Sequence, residues 1–329
     1  MRILVLGGTA FLSAEIARQA VASGHEVTCL ARGSSGGPPD GVAWVRADRS
    51  VGAAAYAGLA GGWDAVVEVA RDPRQARQAL EALASRAAHW TFVSSCSVYA
   101  GHSVPGANED AELLPPLPVD EDSSPERYGE SKSAIEQLTV ELAGEKAHIV
   151  RAGLIGGPGD SSDRYGYWPA RFADSRDPVL VPDIPDHATQ VIDVRDLASW
   201  ILYAAEHHVT GTFNALGDVV PFGEYIDESR RMAGPLGETV VAGEDWLVEH
   251  NVQYWAGAES LPLWLPPGHE GFSARSNAAA RALGLALRPW RETLQDTLED
   301  ERARGLHRDR KAGLGAATEQ RLIAEFLAG

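Results

Sequence analysis

Met1-Arg2-Ile3-Leu4-Val5-Leu6-Gly7-Gly8-Thr9-Ala10-Phe11-Leu12-Ser13 opens the chain, and its reading decides the fold. Residues 3–6 are apolar without polar alternation, which predicts a short strand buried on both faces. Two glycines follow, and from about 14 to 22 the spacing is helical until Gly24 stops it. A glycine-rich turn between a first strand and a first helix is where a dinucleotide pyrophosphate binds, on the N–H groups of the helix N-terminus. The usual G-x-x-G-x-x-G stands here as Gly7-x-x-Ala10-x-x-Ser13, with the smallest substitutes for glycine. Small residues there let the backbone approach phosphate and the helix pack on the strand. Without a ligand the same turn is only a tight strand-to-helix connection, so the inference depends on the rest of the chain.

The pattern repeats downstream. Strands are predicted at 27–31, 42–47, 65–70, 90–94, 148–151 and 213–216, and helices at 71–88 and 125–145, with a strand and then a helix across 190–205. Alternation of this kind implies parallel β-α-β units, hence an α/β, Rossmann-type doubly wound sheet. A Pro- and acid-rich stretch, 101–124, reads as a surface loop. Beyond Arg151 the pattern breaks up, and the tail carries Trp246, Trp255, Trp264 and Trp290 among scattered prolines. The expected organisation is a dinucleotide-binding domain over 1–155, to which 188–216 returns, and a smaller mixed substrate domain over most of 156–329. Helices are expected at 289–304 and 318–327.

Composition narrows the function classes. The 329 residues carry 29 Lys+Arg against 46 Asp+Glu, a net charge of −17, which argues against nucleic acid or an anionic membrane as partner. It leaves an anionic cofactor open, because a local nest of N–H groups binds phosphate on an acidic protein. Cys29 and Cys96 lie in separate apolar runs, which fits free thiols, a reducing cytoplasmic compartment and no metal site. No apolar run reaches the length of a membrane span, and Met1-Arg2 passes at once into the first strand, so no signal peptide is expected. The partner expected is a small molecule; the oligomeric state, a homodimer included, stays open. Lys132, Lys146 and Lys311 are the only lysines.

Two further segments carry chemistry. Tyr128-Gly129-Glu130-Ser131-Lys132 puts Tyr and Lys at i and i+4 on one helix face. A lysine cation beside a phenol favours the phenolate and eases proton exchange near neutral pH. Ser94-Ser95-Cys96-Ser97-Val98-Tyr99 follows the 90–94 strand, so a serine hydroxyl stands at the carboxyl edge, where ligands bind in such sheets. Each has a plainer reading, a solvated Tyr–Lys pair and a serine-rich strand end. The three signals nevertheless occur in the order one active site requires.

Together these segments resemble the short-chain dehydrogenase/reductase superfamily, and within it the extended branch, the NAD-dependent epimerase/dehydratase family. Arg151-Ala152-Gly153-Leu154-Ile155-Gly156-Gly157-Pro158 resembles that branch's R-P-x-x-x-Y-G-P, and 190–198 resembles its Y-I-H-V-x-D-L-A. The Gly-Gly-Thr-x-Phe-Leu opening is closest to an atypical, reductase-like subgroup. The likeness covers nearly the whole chain and is weakest over 218–270. It implies Tyr128 as general acid/base, Lys132 on the nicotinamide ribose and Ser95 on the substrate oxygen. It implies a pyrophosphate turn through Gly7, Thr9, Ala10, Phe11 and Leu12, and Asp48 facing the adenine. Val69, Ala70 and Ser94 would line the cofactor channel, and Gly153, Leu154 and Ile155 the nicotinamide. In the family's dehydratases an Asp-Glu pair follows the catalytic hydroxyl. Cys96 and Ser97 stand there instead, beside the substrate but without carboxylates, so sugar 4,6-dehydration is not expected.

The leading expectation is therefore an NAD(P)-dependent oxidoreductase moving a hydride to or from an alcohol or carbonyl carbon. The alternatives are an NAD-dependent epimerase and, in another class, a non-catalytic dinucleotide-binding regulator. The second strand ends in Ala31 and Arg32 rather than a carboxylate, which predicts NADP ahead of NAD. Thr189 stands where the sugar epimerases place a phosphate-binding arginine, and 261–268 contains no arginine or lysine. Nucleotide diphosphate sugars are accordingly not expected to bind, although Arg164, Arg171 or Arg275 offers charge from another direction. Trp168 and Trp264, with Tyr165 and Tyr167, suggest a flatter, more apolar substrate.

Overall fold

The computed structural model describes residues 1–118, 120–174, 178–234 and 238–328. The chain begins as β1 (Arg2–Leu6), α1 (Phe11–Ala22), β2 (Glu26–Ala31), β3 (Ala43–Arg46), β4 (Trp63–Glu68), α2 (Pro73–Leu83), β5 (Ala87–Ser95), α3 (Tyr128–Ala143) and β6 (Ala147–Ala152). It continues through β7 (Leu154–Gly156), α4 (Tyr167–Ala173), β8 (Val179–Pro182), β9 (Ala188–Asp193), α5 (Val194–Glu206) and β10 (Gly211–Ala215). Seven strands form one parallel sheet in the order β10-β6-β5-β4-β1-β2-β3, a Rossmann-type doubly wound topology. In β1, Ile3 and Val5 pack into the core beneath α1 and α5, while Leu4 and Leu6 pack into the opposite core under α2 and α3. Both faces are dry, which is why the strand reads as an unbroken apolar run.

The strand order reverses between β1 and β4, and ligands of open α/β sheets sit at such a switch point, outside the carboxyl ends of the strands. Local chemistry sets the turns there. Asp72 caps α2 by accepting from the Arg74 N–H at 2.8 Å, with Pro73 opening the helix. Ser95 caps a short 3₁₀ turn at 96–98, accepting from the Ser97 N–H at 3.1 Å. The helix expected over 71–88 stops at Leu83, because Ala87 already pairs with Trp63 as β5 joins β4. Sheet pairing overrides the helical propensity of an Ala-rich segment.

After β10 come β11 (Val219–Pro221), α6 (Phe222–Ala233), β12 (Thr239–Ala242), α7 (Glu244–Glu249), β13 (Gln253–Trp255) and β14 (Ser260–Pro262). Helices α8 (Ala278–Ala282), α9 (Trp290–Arg304) and α10 (Ala316–Ala328) complete the chain. Strand β9 lies between β7 and β11, while β8 pairs with β12 and β13 with β14. A second core, with Trp168, Phe222, Tyr225, Trp264, Leu294 and Leu322 inside it, joins these pieces. Cys29 and Cys96 are free and buried.

Candidate active site

A cavity of about 960 Å³ opens along the carboxyl ends of β1, β4, β5 and β6. It runs from Ala10, Phe11, Leu12 and Ser13 past Val69, Ser94, Ser95, Cys96 and Ser97 to Tyr128 and Lys132, and on to Gly153, Leu154 and Ile155. The three sequence signals thus meet in one concavity of the size that holds small ligands.

Packing brings them together. Tyr128 and Lys132 lie one turn apart at the start of α3. Gly129 between them lets the helix touch the β5 turn: a Cβ there would lie 2.3 Å from the Ser97 carbonyl oxygen. Lys132 Nζ is buried and donates to the Ala70 and Val93 carbonyls, each at 2.8 Å. An ammonium has three donors, so the third remains for a ligand hydroxyl. Burial lowers the Lys132 pKa to about 7, against the pull of Glu68. The Tyr128 phenol is raised by burial, while Arg71, a hydrogen bond with Ser95, and Arg164 draw it back. Ser95 Oγ also donates to Ser97 Oγ at 3.1 Å.

Behind the β5 turn lies a buried polar network. Ser94 Oγ donates to Glu136 Oε1 at 2.5 Å, and Arg151 pairs with Glu136 at 2.8 Å. Arg151 Nη1 donates to the Tyr99 hydroxyl at 3.1 Å, which in turn donates to Asn214 Oδ1 at 2.6 Å. The Ser94 proton is therefore committed to the scaffold, leaving Ser95 as the hydroxyl presented to a ligand. Cys96 touches the cavity but is buried; its thiol donates weakly to the Arg151 carbonyl, and burial pushes it up to about 12.

The glycine turn fits a pyrophosphate. Gly7 and Gly8 have φ of +133° and +94°, and a Cβ on Gly8 would lie 2.1 Å from Cys29 Sγ. No side chain caps α1, and its first turn holds no acidic residue, so its leading N–H groups and positive dipole end are left for an anion. Phe11 opens the helix at φ +34°, a conformation costly for a side chain and characteristic of binding turns. Thr9 stands on the same turn, half-buried. Ala70 contributes its carbonyl to Lys132 rather than a surface to the cavity. Arg32 and Asp48 stand just past the ends of β2 and β3, outside the cavity's lining, 3.9 Å apart, with Arg32 exposed and Asp48 half-buried. Among the described residues no group of His, Cys, Asp and Glu side chains could hold a metal ion.

Trp168 and Trp264 do not reach the cavity. Trp168 is fully buried in the second core, donating from Nε1 to the Pro262 carbonyl at 2.8 Å. Trp264, equally buried, packs on Tyr254 with ring centroids 4.1 Å apart, and Tyr165 and Tyr167 are core residues as well. Large apolar side chains go where they lose most water, and here that is the interior of the second layer. Besides Phe11 and Tyr128, the aromatic surfaces at the cavity are Trp255 and Phe272. Charge differs from expectation too. Thr189 spends its hydroxyl on the Val220 carbonyl, Arg171 is paired with Glu319, and Arg275 is stacked 3.8 Å over Tyr99. Of the three arginines expected to offer charge from another direction, Arg164 alone lines the cavity, and Arg71 and Lys311 join it there. Two cues existed in the sequence. Lys311 is one of three lysines, and Arg71 follows the β4 edge directly; their convergence with Arg164 is tertiary.

Sheet order, uncapped helix and Ser–Tyr–Lys grouping define an α/β protein of the Rossmann class with a ligand-sized cavity at its switch point. The family model described as NAD dependent epimerase/dehydratase family matches residues 3–215, and the chain belongs to that family. No curated protein sequence matches. Among solved structures, a putative epimerase from Burkholderia cenocepacia J2315 superposes with a TM-score of 0.70 at 21% identity, covering 92% of this chain and 98% of that one. The Thermus thermophilus UDP-glucose 4-epimerase in complex with NAD gives 0.65 at 19% identity, over 92% and 99%. TunA, an NAD dependent NDP-hexosamine 5,6-dehydratase, gives 0.68 at 20%, over 93% and 99%. At these identities the likeness is one of fold. No helix among the described residues is long and apolar enough to cross a membrane.

Proposed function

We propose that the chain is a nicotinamide-dependent enzyme that moves a hydride to or from a carbinol or carbonyl carbon of a small molecule. The observation that carries this reading is the convergence of Ser95, Tyr128 and Lys132 in the cavity that begins at the uncapped N-terminus of α1. The α1 turn would hold the pyrophosphate, Lys132 the ribose beside the nicotinamide, and Gly153, Leu154 and Ile155 the nicotinamide itself. A bound nicotinamide supplies or accepts the hydride. Tyr128 gives or takes the proton on the reacting oxygen, and Ser95 holds that oxygen by a hydrogen bond. Arg71 and Arg164 favour the phenolate, while Lys132, with two hydrogens tied to backbone carbonyls, keeps a fixed position.

A second reading, epimerisation with retained cofactor, is supported by the family and by the sugar epimerases among the similar folds. The complete Ser–Tyr–Lys set argues against a non-catalytic regulator. For the cofactor we propose NAD rather than NADP. The Arg32 cation on which the NADP expectation rests already faces Asp48, whose carboxylate would oppose a 2′-phosphate. Family description and NAD-bearing fold neighbours point the same way. Domain roles follow: 1–155 with 188–216 for the cofactor, most of 156–329 for the substrate.

Tyr128→Phe tests the reading. It removes only the transferable proton, so turnover should fall by ~10²–10⁴ while NAD affinity stays within about twofold. Parental turnover in the Phe variant would end the proposal. A reductase consumes reduced cofactor one for one with product; an epimerase turns over with no net change in it.

A further inference from the structure

Most arginines of this acidic chain are spent on carboxylates: Arg49 on Glu68, Arg151 on Glu136, Arg171 on Glu319, Arg195 on Asp193 and Asp296. Arg71, Arg164 and Lys311 are among the cations that are not, and all three line the catalytic cavity. Among the described residues, Arg71, Arg164 and Lys311 form no ion pair. Arg164 is half-buried, its guanidinium carbon 5.1 Å over the Trp255 ring, with Nε 3.3 Å from Ser162 Oγ. Lys311 donates its backbone N–H to Asp163 Oδ2 at 2.8 Å, which sets the residue beside Arg164 at the rim. The Arg71 guanidinium carbon stands 6.0 Å from the Tyr128 ring centre. One lining carboxylate faces them, Asp160, and both its oxygens already accept from Ser162, at 2.7 and 3.0 Å. Burial lowers the Arg164 pKa even though Asp160 draws it back up, which leaves a desolvated cation only partly compensated. With a net charge of −17, carboxylates to neutralise these groups are abundant, so a cavity that sets these cations against a single lining carboxylate is a specific feature.

We propose that the substrate carries an anionic group, a carboxylate or a phosphate, held between Arg164 and Lys311, with Arg71 facing it from the Tyr128 side. This rests on the cavity being the reaction site. The cofactor's own phosphates do not answer the same need, because their place is the uncapped α1 turn. An anion fixed here would bring the neighbouring carbinol carbon to the phenol, and Trp255 and Phe272 would cover the substrate's apolar face.

The test is calorimetric titration of the NAD-loaded protein at low ionic strength with sodium glucuronate, glucose 6-phosphate and, as neutral control, glucose. At least one anion should bind tenfold or more tightly than glucose, and which anion wins tells carboxylate from phosphate. K311Q, at an exposed position, and R164Q should each weaken that affinity by about tenfold or more, the worth of a charge-assisted hydrogen bond, with NAD affinity unchanged. The proposal is overturned if neither anion outperforms glucose, if K311Q leaves anion affinity intact, or if both variants lose NAD binding in parallel. Should R164Q fail to fold, K311Q carries the test alone. Failure of the parent protein to bind NAD sinks the hydride-transfer reading instead, and is measured separately.

Discussion

Replacing Gly129 by alanine sets helix propensity against packing. In an isolated helix the change would stabilise by roughly 1 kcal/mol. In this protein a Cβ at 129 would lie 2.3 Å from the Ser97 carbonyl oxygen and 2.5 Å from Leu114 Cδ1, where ordinary contact begins near 3.4 Å. The Leu114 tip can rotate away. The Ser97 carbonyl is backbone, in a turn pinned by the Ser97 N–H on Ser95 Oγ and the Leu114 N–H on the Val98 carbonyl at 2.7 Å. Helix α3 must therefore withdraw by about 1 Å, the shortfall from ordinary contact. Forced overpacking of this kind costs about 1–3 kcal/mol, which cancels or outweighs the propensity gain and leaves Gly129→Ala less stable by up to about 2 kcal/mol in urea unfolding. Tyr128 moves with the helix away from Ser95, and a misplacement of about 1 Å at the reacting groups lowers kcat on the order of 10²-fold. NAD affinity should stay within a few-fold, because the α1 turn is untouched. An alanine variant more stable than its parent, with unchanged kcat, refutes the idea that this glycine sets the distance between the helix and the β5 turn.

Side-by-side titration should show NAD binding more tightly than NADP, and Arg32→Ala should leave NAD affinity unchanged; tighter NADP binding lost in that variant returns the choice to Arg32. His148 is buried among Trp200, Phe213 and His89, and burial pushes its pKa down to about 3. The native state then takes no proton there until well below the unfolded value of 6.5, so stability is lost as pH falls through 6.5. Between pH 7 and pH 5 the parent should lose about 2 kcal/mol more than His148→Gln, and equal losses would falsify the assignment. Cys29 and Cys96, buried and with thiols pushed up to about 12, should resist iodoacetamide in the native protein and both react after unfolding; rapid native labelling of either contradicts the burial argument.

The Rossmann half of the fold was legible because its signals are local. An apolar run, two glycines and a helix start fix β1, the turn and α1 within thirteen residues, since positive φ and dry strand faces constrain residue type position by position. Tyr128 and Lys132 are readable for the same reason, one helical turn apart. The substrate side was not. Whether a tryptophan lines a cavity or fills a core depends on what packs against it from far along the chain. Trp168 meets the Pro262 carbonyl, while Trp255 alone meets Arg164 and the cavity. The charge of the site is likewise tertiary. Lys311 reaches Arg164 across nearly half the sequence through Asp163, a backbone contact that no spacing rule announces. Residue type and short spacing thus determined the Rossmann frame, whereas burial and long-range pairing decided which aromatic and cationic side chains face the cavity.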